Sequence, residues 1–201
     1  MRKKLNEESP STRLLKASIA LFAEKGYADT SVREIVEWAG VTKPVLYYYF
    51  ESKEGIFRAI LDRAAEQQET MLSTVLETQG SVLDRLIHLY RHIHRGVREN
   101  PGLFKMIHNL MFGPPQGAPR YDLEQYHKRM VDAIKRIYLQ GVAKGEVKTV
   151  DPGEVAFLVL GLIGFCFHLD HMRPESLDPE RPERLLHLAF WGLVQQTTYD
   201  Q

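Results

Sequence analysis

Residues 31–50, Ser-Val-Arg-Glu-Ile-Val-Glu-Trp-Ala-Gly-Val-Thr-Lys-Pro-Val-Leu-Tyr-Tyr-Tyr-Phe, read as two short helices joined by a tight turn. Ser31 suits an N-cap, and Glu34 stands three positions on, where a capping box places its carboxylate. Val32, Ile35 and Val36 recur at helical spacing and form one apolar face. Gly40 follows Ala39 and is free to take the left-handed conformation that closes a helix. Val41 plugs the turn. Thr42 is placed to cap a second helix, and Pro44 falls in its first turn, where a missing N–H costs little. Leu46 and Phe50, one helical turn apart, point into a core.

The outer surface of that second helix is unusual. Lys43, Pro44, Val45, Tyr47, Tyr48 and Tyr49 lie where an ordinary surface helix shows Glu, Lys and Gln. Successive residues point about 100° apart, so three consecutive tyrosines cannot all be buried. A tyrosine offers a rigid ring and a hydroxyl that donates to a phosphate oxygen. A short helix after a short turn, with a cation at its start and hydroxyls along it, suits the major groove of DNA. An aromatic patch that packs on another helix is the alternative.

The order and spacing of several motifs carry a resemblance. They are Leu21-Phe22-Ala23-Glu24-Lys25-Gly26-Tyr27, Thr30-Ser31-Val32-Arg33-Glu34-Ile35, Ala39-Gly40-Val41-Thr42-Lys43, Leu46-Tyr47-Tyr48-Tyr49-Phe50 and Ser52-Lys53-Glu54. Through them residues 12–58 resemble the N-terminal domain of the TetR family of one-component bacterial transcription regulators. The rest of the chain resembles the family only in being helical and of suitable length. The resemblance implies an all-α fold: a three-helix helix-turn-helix DNA-binding domain over 1–55, then a larger helical effector-binding and dimerisation domain over 56–201. It also implies repression of transcription, with a minority of members activating. Departures are Val45 in place of a hydroxyl residue, Tyr49 in place of a histidine, and Gly55 in place of a better helix former. Gly55 is expected to weaken its helix by up to ~1 kcal/mol relative to Ala.

Site expectations follow. Thr30 and Ser31 stand at a helix N-terminus, which favours an anion such as a DNA phosphate, although capping alone accounts for Ser31. The resemblance implies that Arg33 reaches a base edge, where arginine suits the O6/N7 pair of guanine; a solvated pair with Glu37 is the alternative. Lys43 and Pro44 are assigned to bases, and Tyr48 to bases or phosphate. Thr42, Tyr47, Tyr49 and Lys53 are assigned to phosphate. Val45 suits a thymine methyl. Arg2, Lys3 and Lys4 either meet phosphates or a minor groove, or belong to a mobile terminus.

Net charge is +0, with ten Lys and Arg against eight Asp and Glu up to Arg58, so DNA binding must rest on local residues rather than bulk charge. One cysteine, Cys166, excludes an intrachain disulfide and suits a reducing compartment. No signal peptide is visible, and the apolar run 155–167 falls short of the ~20 residues that cross a bilayer. A soluble cytoplasmic protein is expected, with no membrane partner and no cofactor. No Gly-rich phosphate loop, zinc-type cysteine pair or Ser/His/Asp order appears.

Along the chain, a first helix starts at Ser11 or Thr12, with Leu15, Ile19 and Phe22 inward, Leu14 and Leu21 alongside, and Ser18 at the edge of the core. A long helix over 52–78 joins the two domains, and the resemblance implies that its tilt sets the spacing of the two readers in a dimer. Helices follow over 81–99, from Pro101, over 121–143, over 152–171 and over 180–197, the last including Leu193 and Val194. The Gly113–Pro119 segment, rich in Gly and Pro, either gates a cavity or is plain punctuation. The helix over 152–171 is apolar nearly all round and must be buried on most sides, with Gly161 and Gly164 allowing close approach. With the last helix it suggests a homodimer through a four-helix bundle. Tyr90, Phe104, Ile107, Met111, Tyr121, Phe165 and His168 are candidate lining for a hydrophobic or amphipathic effector, or simple core. All eight histidines follow residue 87; His88 with His92, and His168 with His171, have metal-ligand spacing but no clear further ligands. The rivals to a DNA-binding regulator are therefore a helical metal-binding enzyme and a protein-interaction module.

Overall fold

The computed structural model describes residues 8–115, 117–172, 178 and 180–191, with the side chains of 170–172 outside that description. Arg2, Lys3, Lys4, Gln116, Leu193, Val194 and the side chain of His171 therefore lie outside the described residues, as does any helix beyond 191. In order, the helices are α1 Pro10–Lys25, α2 Val32–Ala39, α3 Lys43–Phe50, α4 Lys53–Glu77, α5 Val82–Glu99, α6 Pro101–Phe112, α7 Leu123–Ala143, α8 Pro152–Met172 and α9 Arg181–Trp191.

Two compact units result. The first comprises Met1–Gln67 and Gly96–Leu123, and the second Gln68–Arg95 and Glu124–Gln201. They cut the chain at other places than residue 55, because α6 packs on α1 within the first unit. A methyl group on Gly102 of α6 would stand 3.2 Å from Cγ2 of Ile19, so the two helices are in close contact. The fully buried stripe of α1 is nonetheless turned from the expected one. Leu14, Ala17, Ser18 and Phe22 are buried, whereas Leu15 and Ile19 are only partly so. Ser18 is inside the core rather than at its edge. The helix begins one or two residues earlier than expected: Ser9 caps it, its Oγ accepting from Thr12 N at 3.2 Å, and Pro10 takes the first position.

The core of the first unit lies beneath α2 and α3. Ile35, Val36 and Ala39 from α2 and Leu46 from α3 meet Leu14 and Phe22 of α1 and Ile56 and Phe57 of α4. Rings of Phe22, Tyr27 and Phe57 close one end, with centroids 5.0–5.9 Å apart in tilted and edge-on pairs. The Gly113–Pro119 loop is more than punctuation. Ala118 and Tyr121 pack against this core, and the Tyr121 hydroxyl donates to Asp62 Oδ1 at 2.8 Å.

In the second unit α8 does not behave as expected. It is 21 residues long, and its window Pro152–Leu169 is long and apolar enough to cross a bilayer by length and composition, with 33% of that window buried. One face packs inward through Val155, Ala156, Val159, Ile163, Cys166 and Phe167. The other presents Phe157, 78% exposed, with Leu158 and Phe165. No atom lies within 4 Å of a methyl group built on Gly161 or Gly164, so neither glycine serves a contact among the described residues. Neighbouring α9 exposes Leu188 and Trp191, the latter at 84%. A half-packed apolar helix is an element of a folded unit whose outer face still needs a cover. On α5, Arg85 is buried: its Nη1 donates to Gln140 Oε1 at 2.6 Å and its Nη2 to Leu76 O at 3.0 Å, at the C-terminal end of α4.

The α3–α4 joint corrects the reading of Gly55. Ser52 N donates to Phe50 O at 2.6 Å around Glu51, whose φ is +63°. That is the rare form of the γ-turn, strained for a residue with a side chain. It brings the Phe50 carbonyl so close to α4 that a methyl group on Gly55 would sit 1.8 Å from its oxygen. Gly55 is therefore required by the joint rather than a mere weakness of the helix. Gly55→Ala should destabilise the folded chain by about 1–3 kcal/mol, against the gain that helix propensity alone promises. Glu51→Gly should raise the melting temperature. Thermal melts of both variants check this, and a stabilised Gly55→Ala protein would refute the described joint.

Candidate nucleic-acid interface

α2 owes its start to a full capping box. Ser31 Oγ accepts from Glu34 N at 3.3 Å, and Ser31 N donates to Glu34 Oε2 at 2.8 Å. The Glu34 carboxylate also pairs with Lys25 of α1. Gly40 ends the helix in the left-handed region, φ +62° and ψ +40°, and Arg13 of α1 reaches its carbonyl at 3.5 Å. α3 follows within three residues, with Leu46 fully buried and Phe50 partly so.

The expected DNA-facing residues divide into two groups. One group is free. Thr42 occupies the N-cap position of α3, but its hydroxyl makes no capping hydrogen bond, contrary to the expected cap. Lys43 and Pro44 are exposed, Val45 half-buried, and the Lys43 ammonium has no partner among the described residues. Tyr47, Tyr48 and Tyr49 are all exposed, Tyr48 at 82%; the rings of Tyr48 and Tyr49 meet edge-on at 5.0 Å. None of the three hydroxyls has a hydrogen-bond partner among the described residues. Arg33 is exposed and pairs with Glu37 one turn on, Nε to Oε1 at 2.7 Å, and that bond holds the guanidinium above its ordinary pKa. An exposed i, i+4 pair is weak and easily exchanged for another anion.

The other group is turned inward. Thr30 is 1% exposed, and its Oγ1 donates to Gly26 O at 2.8 Å, closing the loop between α1 and α2. Its hydroxyl is used by the fold and does not face a phosphate. Lys53 Nζ donates to Tyr27 O at 2.9 Å and Thr30 O at 2.8 Å and lies 4.1 Å from the centroid of the Tyr27 ring. Burial lowers its pKa below the ordinary lysine value. Ser31 is exposed, but the Glu34 carboxylate already occupies the anion position at this helix end. Sequence reasoning overlooked Trp38, which is half-exposed on α2. Its signal is a large ring set to the side of the Ile35, Val36 and Ala39 face on the helical wheel.

The effector candidates are distributed over both units. In the first, Ile107 is buried and Phe104, Met111 and Tyr121 are partly buried, Tyr121 being tied to Asp62. In the second, Tyr90 is buried beside Phe167 at 6.1 Å, whereas Phe165 and His168 stand on the exposed side of α8 with rings 6.5 Å apart. Phe165 therefore lines the outer face of its helix and not the interior of its unit. His88 and His92 meet at 4.7 Å, and His88 Nδ1 is 3.0 Å from Thr78 Oγ1; burial lowers the His92 pKa, helped by the charge of His88. No group of three or more His, Cys, Asp or Glu placed to hold a metal occurs among the described residues.

Comparison with known proteins agrees with this geometry. Residues 14–60 match the model of "Bacterial regulatory proteins, tetR family". The HTH-type transcriptional repressor ComR of Escherichia coli is 27% identical over 139 residues, 66% of this chain; the match spans 65% of that repressor, just under two thirds of its length. The uncharacterized HTH-type transcriptional regulator YvkB of Bacillus subtilis is 25% identical over 187 residues, 87% of this chain and 90% of the relative. The structure of a SmeT–triclosan complex superposes with a TM-score of 0.75 at 21% identity, covering 96% of this chain and 95% of the other.

Glu34 gives this region a pH signature. Hydrogen bonds from Lys25, then from the backbone and hydroxyl of Ser31, lower its pKa from 4.5 to about 2. A carboxylate with a depressed folded pKa stabilises the fold above the unfolded value and loses that contribution as pH falls through the folded one. Stability should therefore decline between about pH 4.5 and 2 with a share that Glu34→Gln removes. Urea melts across that range check it, at low salt because the site is exposed. An acid limb of the same slope in both proteins would rule the assignment out.

Proposed function

We propose that this chain, which belongs to the tetR family of bacterial regulatory proteins, is a cytoplasmic repressor that binds a palindromic operator in double-stranded DNA and is released by a small hydrophobic or amphipathic effector. It is a transcription regulator and not an enzyme. The observation that carries the DNA reading is the outer surface of α3. Thr42, Lys43, Tyr47, Tyr48 and Tyr49 present an ammonium and four hydroxyls with no hydrogen-bond partner among the described residues. A folded protein rarely leaves so many donors and rings idle on one short helix unless a partner uses them. Lys43 and Pro44 are assigned to base edges, with Val45 against a thymine methyl and the hydroxyls on phosphates. Arg33 exchanges Glu37 for a guanine edge.

The functional division is a reader over 1–55 and an effector and dimerisation part over 56–201. Two copies join through the outer faces of α8 and α9, burying Phe157, Leu158, Phe165, Leu188 and Trp191 around a two-fold axis. The glycines at 161 and 164 let the paired helices approach closely. The effector class rests on the apolar character of Phe104, Ile107 and Met111 within the first unit, on that of Tyr90 within the second, and on the likeness to the SmeT structure, a triclosan complex. The effector releases DNA by binding more tightly to a state in which the two readers no longer match the half-sites.

Selection of bound sequences from random duplex DNA tests the reading. The wild-type protein should enrich a palindrome, and Tyr47→Ala or Lys43→Ala should lose it. Binding should weaken steeply as salt rises, because phosphate contacts release counterions. Salt-insensitive binding, or no enrichment by a folded dimer at low salt, would favour a protein-interaction surface instead. Phe165→Glu should convert a dimer into a monomer in sedimentation runs at micromolar concentration, and a dimer that survives that change would place the interface elsewhere.

A further inference from the structure

Lys53 is the first residue of α4, and in an exposed position an ammonium there would be a natural phosphate contact. The structure gives it other work. Two of its three N–H donors are spent on main-chain carbonyls, Tyr27 O at 2.9 Å and Thr30 O at 2.8 Å, and the charge rests over the Tyr27 ring. No carboxylate lies within ion-pair distance of it among the described residues, and Asp29 acts only from farther off. Both carbonyls belong to the loop between α1 and α2, and Thr30 immediately precedes Ser31, the N-cap of α2. The same loop is closed from within by Thr30 Oγ1 on Gly26 O. On its other side Lys53 is two residues from the γ-turn at Glu51 that ends α3, and two from Gly55, over which the Phe50 carbonyl lies.

We propose that Lys53 is a positioning residue for DNA recognition and not a phosphate contact: it ties the start of α2 to the first turn of α4, while the joint at Glu51 ties α3 to the same turn. The two reader helices are thereby held to α4 at both of their attachment points. Any displacement of the α4 N-terminus carries α2 and α3 with it as one body. The inference rests on the DNA-binding reading above.

Charge and geometry are separable at this position. Lys53→Met keeps the stem and removes the charge and donors. Lys53→Arg keeps the charge, but its planar fork cannot occupy the place of a compact ammonium between two carbonyls and a ring. Lys43→Met serves as the comparison for a residue that meets DNA. Each full-length protein is titrated with the duplex selected by the wild type and with a random-sequence duplex of equal length, over a range of salt. Both Lys53 variants should bind the selected duplex roughly tenfold more weakly, the scale of one hydrogen bond to a charged group. Their affinity for the random duplex and their salt slope should stay at the wild-type values. Lys43→Met, which removes an assigned base contact, should also weaken binding of the selected duplex, but leave amide exchange at residues 30–35 at the wild-type rate. Amide exchange in the free protein should quicken at residues 30–35 in both Lys53 variants.

Three results overturn the inference. A slope lowered by about one in Lys53→Met and retained in Lys53→Arg makes Lys53 a phosphate contact. Wild-type affinity for the selected duplex in both variants removes any role in positioning. Equal losses on selected and random duplexes make the role general stability. If Lys53→Met does not fold, Lys53→Arg alone still decides, since a phosphate contact would survive in it. Failure of the DNA reading itself looks different: the wild type and Lys43→Met would then bind no duplex in a salt-dependent way.

Discussion

Helices of eight residues do not stand alone in water, because nucleation costs more than one or two turns return. α2 and α3 are each that short, and every feature of the candidate interface depends on what lies beneath them. Ile35, Val36, Ala39 and Leu46 are driven into one cluster with Leu14, Phe22, Ile56 and Phe57. That burial fixes two otherwise unstable helices against α1 and α4. It also leaves their polar and aromatic residues only one direction to face, and the exposure of Tyr47, Tyr48 and Tyr49 follows from the complete burial of Leu46 as much as from their own chemistry.

The polar groups around this cluster sort by whether a backbone acceptor is within reach. At the loop between α1 and α2, carbonyls of Gly26, Tyr27 and Thr30 are available, and Thr30 Oγ1 and Lys53 Nζ are taken up by them. At the start of α2 the N–H and hydroxyl of Ser31 already donate to the Glu34 carboxylate, and Glu34 N donates to Ser31 Oγ. At the start of α3 no such partner stands among the described residues, and Thr42 and Lys43 remain open. A buried donor must find an acceptor, whereas an exposed one can wait for a ligand. The surface left open is therefore the N-terminal end and outer side of α3, with Arg33 beside Glu37 as an exchangeable reserve.

The second unit shows the converse situation. α8 is apolar on both sides, and the described residues of the unit cover only one of them. Arg85, in contrast, is a charge taken inside, held by Gln140 and by the carbonyl at the end of α4. Among the described residues this unit thus leaves apolar surface uncovered and holds its buried cation by neutral oxygens rather than by a carboxylate.

Much of this was legible in the chain itself. The capping box at Ser31 and Glu34, the glycine stop at Gly40 and the run Tyr47–Tyr49 determine two short helices and an aromatic outer face, since caps and 100° steps are local properties. The all-helical order is likewise written in spacing. Other features were decided only in three dimensions. Periodicity places Ser18 at the edge of a face but does not say that the fold buries it completely. Residue type marks Thr30 and Lys53 as phosphate donors and Thr42 as a cap, but the fold supplies carbonyls to the first two and none of the geometry needed by the third. Propensity counts Gly55 as a cost, yet the Phe50 carbonyl occupies the space of its missing side chain. An apolar run shows that α8 must be buried without showing that the described residues bury just one side of it. In each case the local rule sets direction along the element, and the neighbour that packs against it, distant in sequence, decides what that direction is used for.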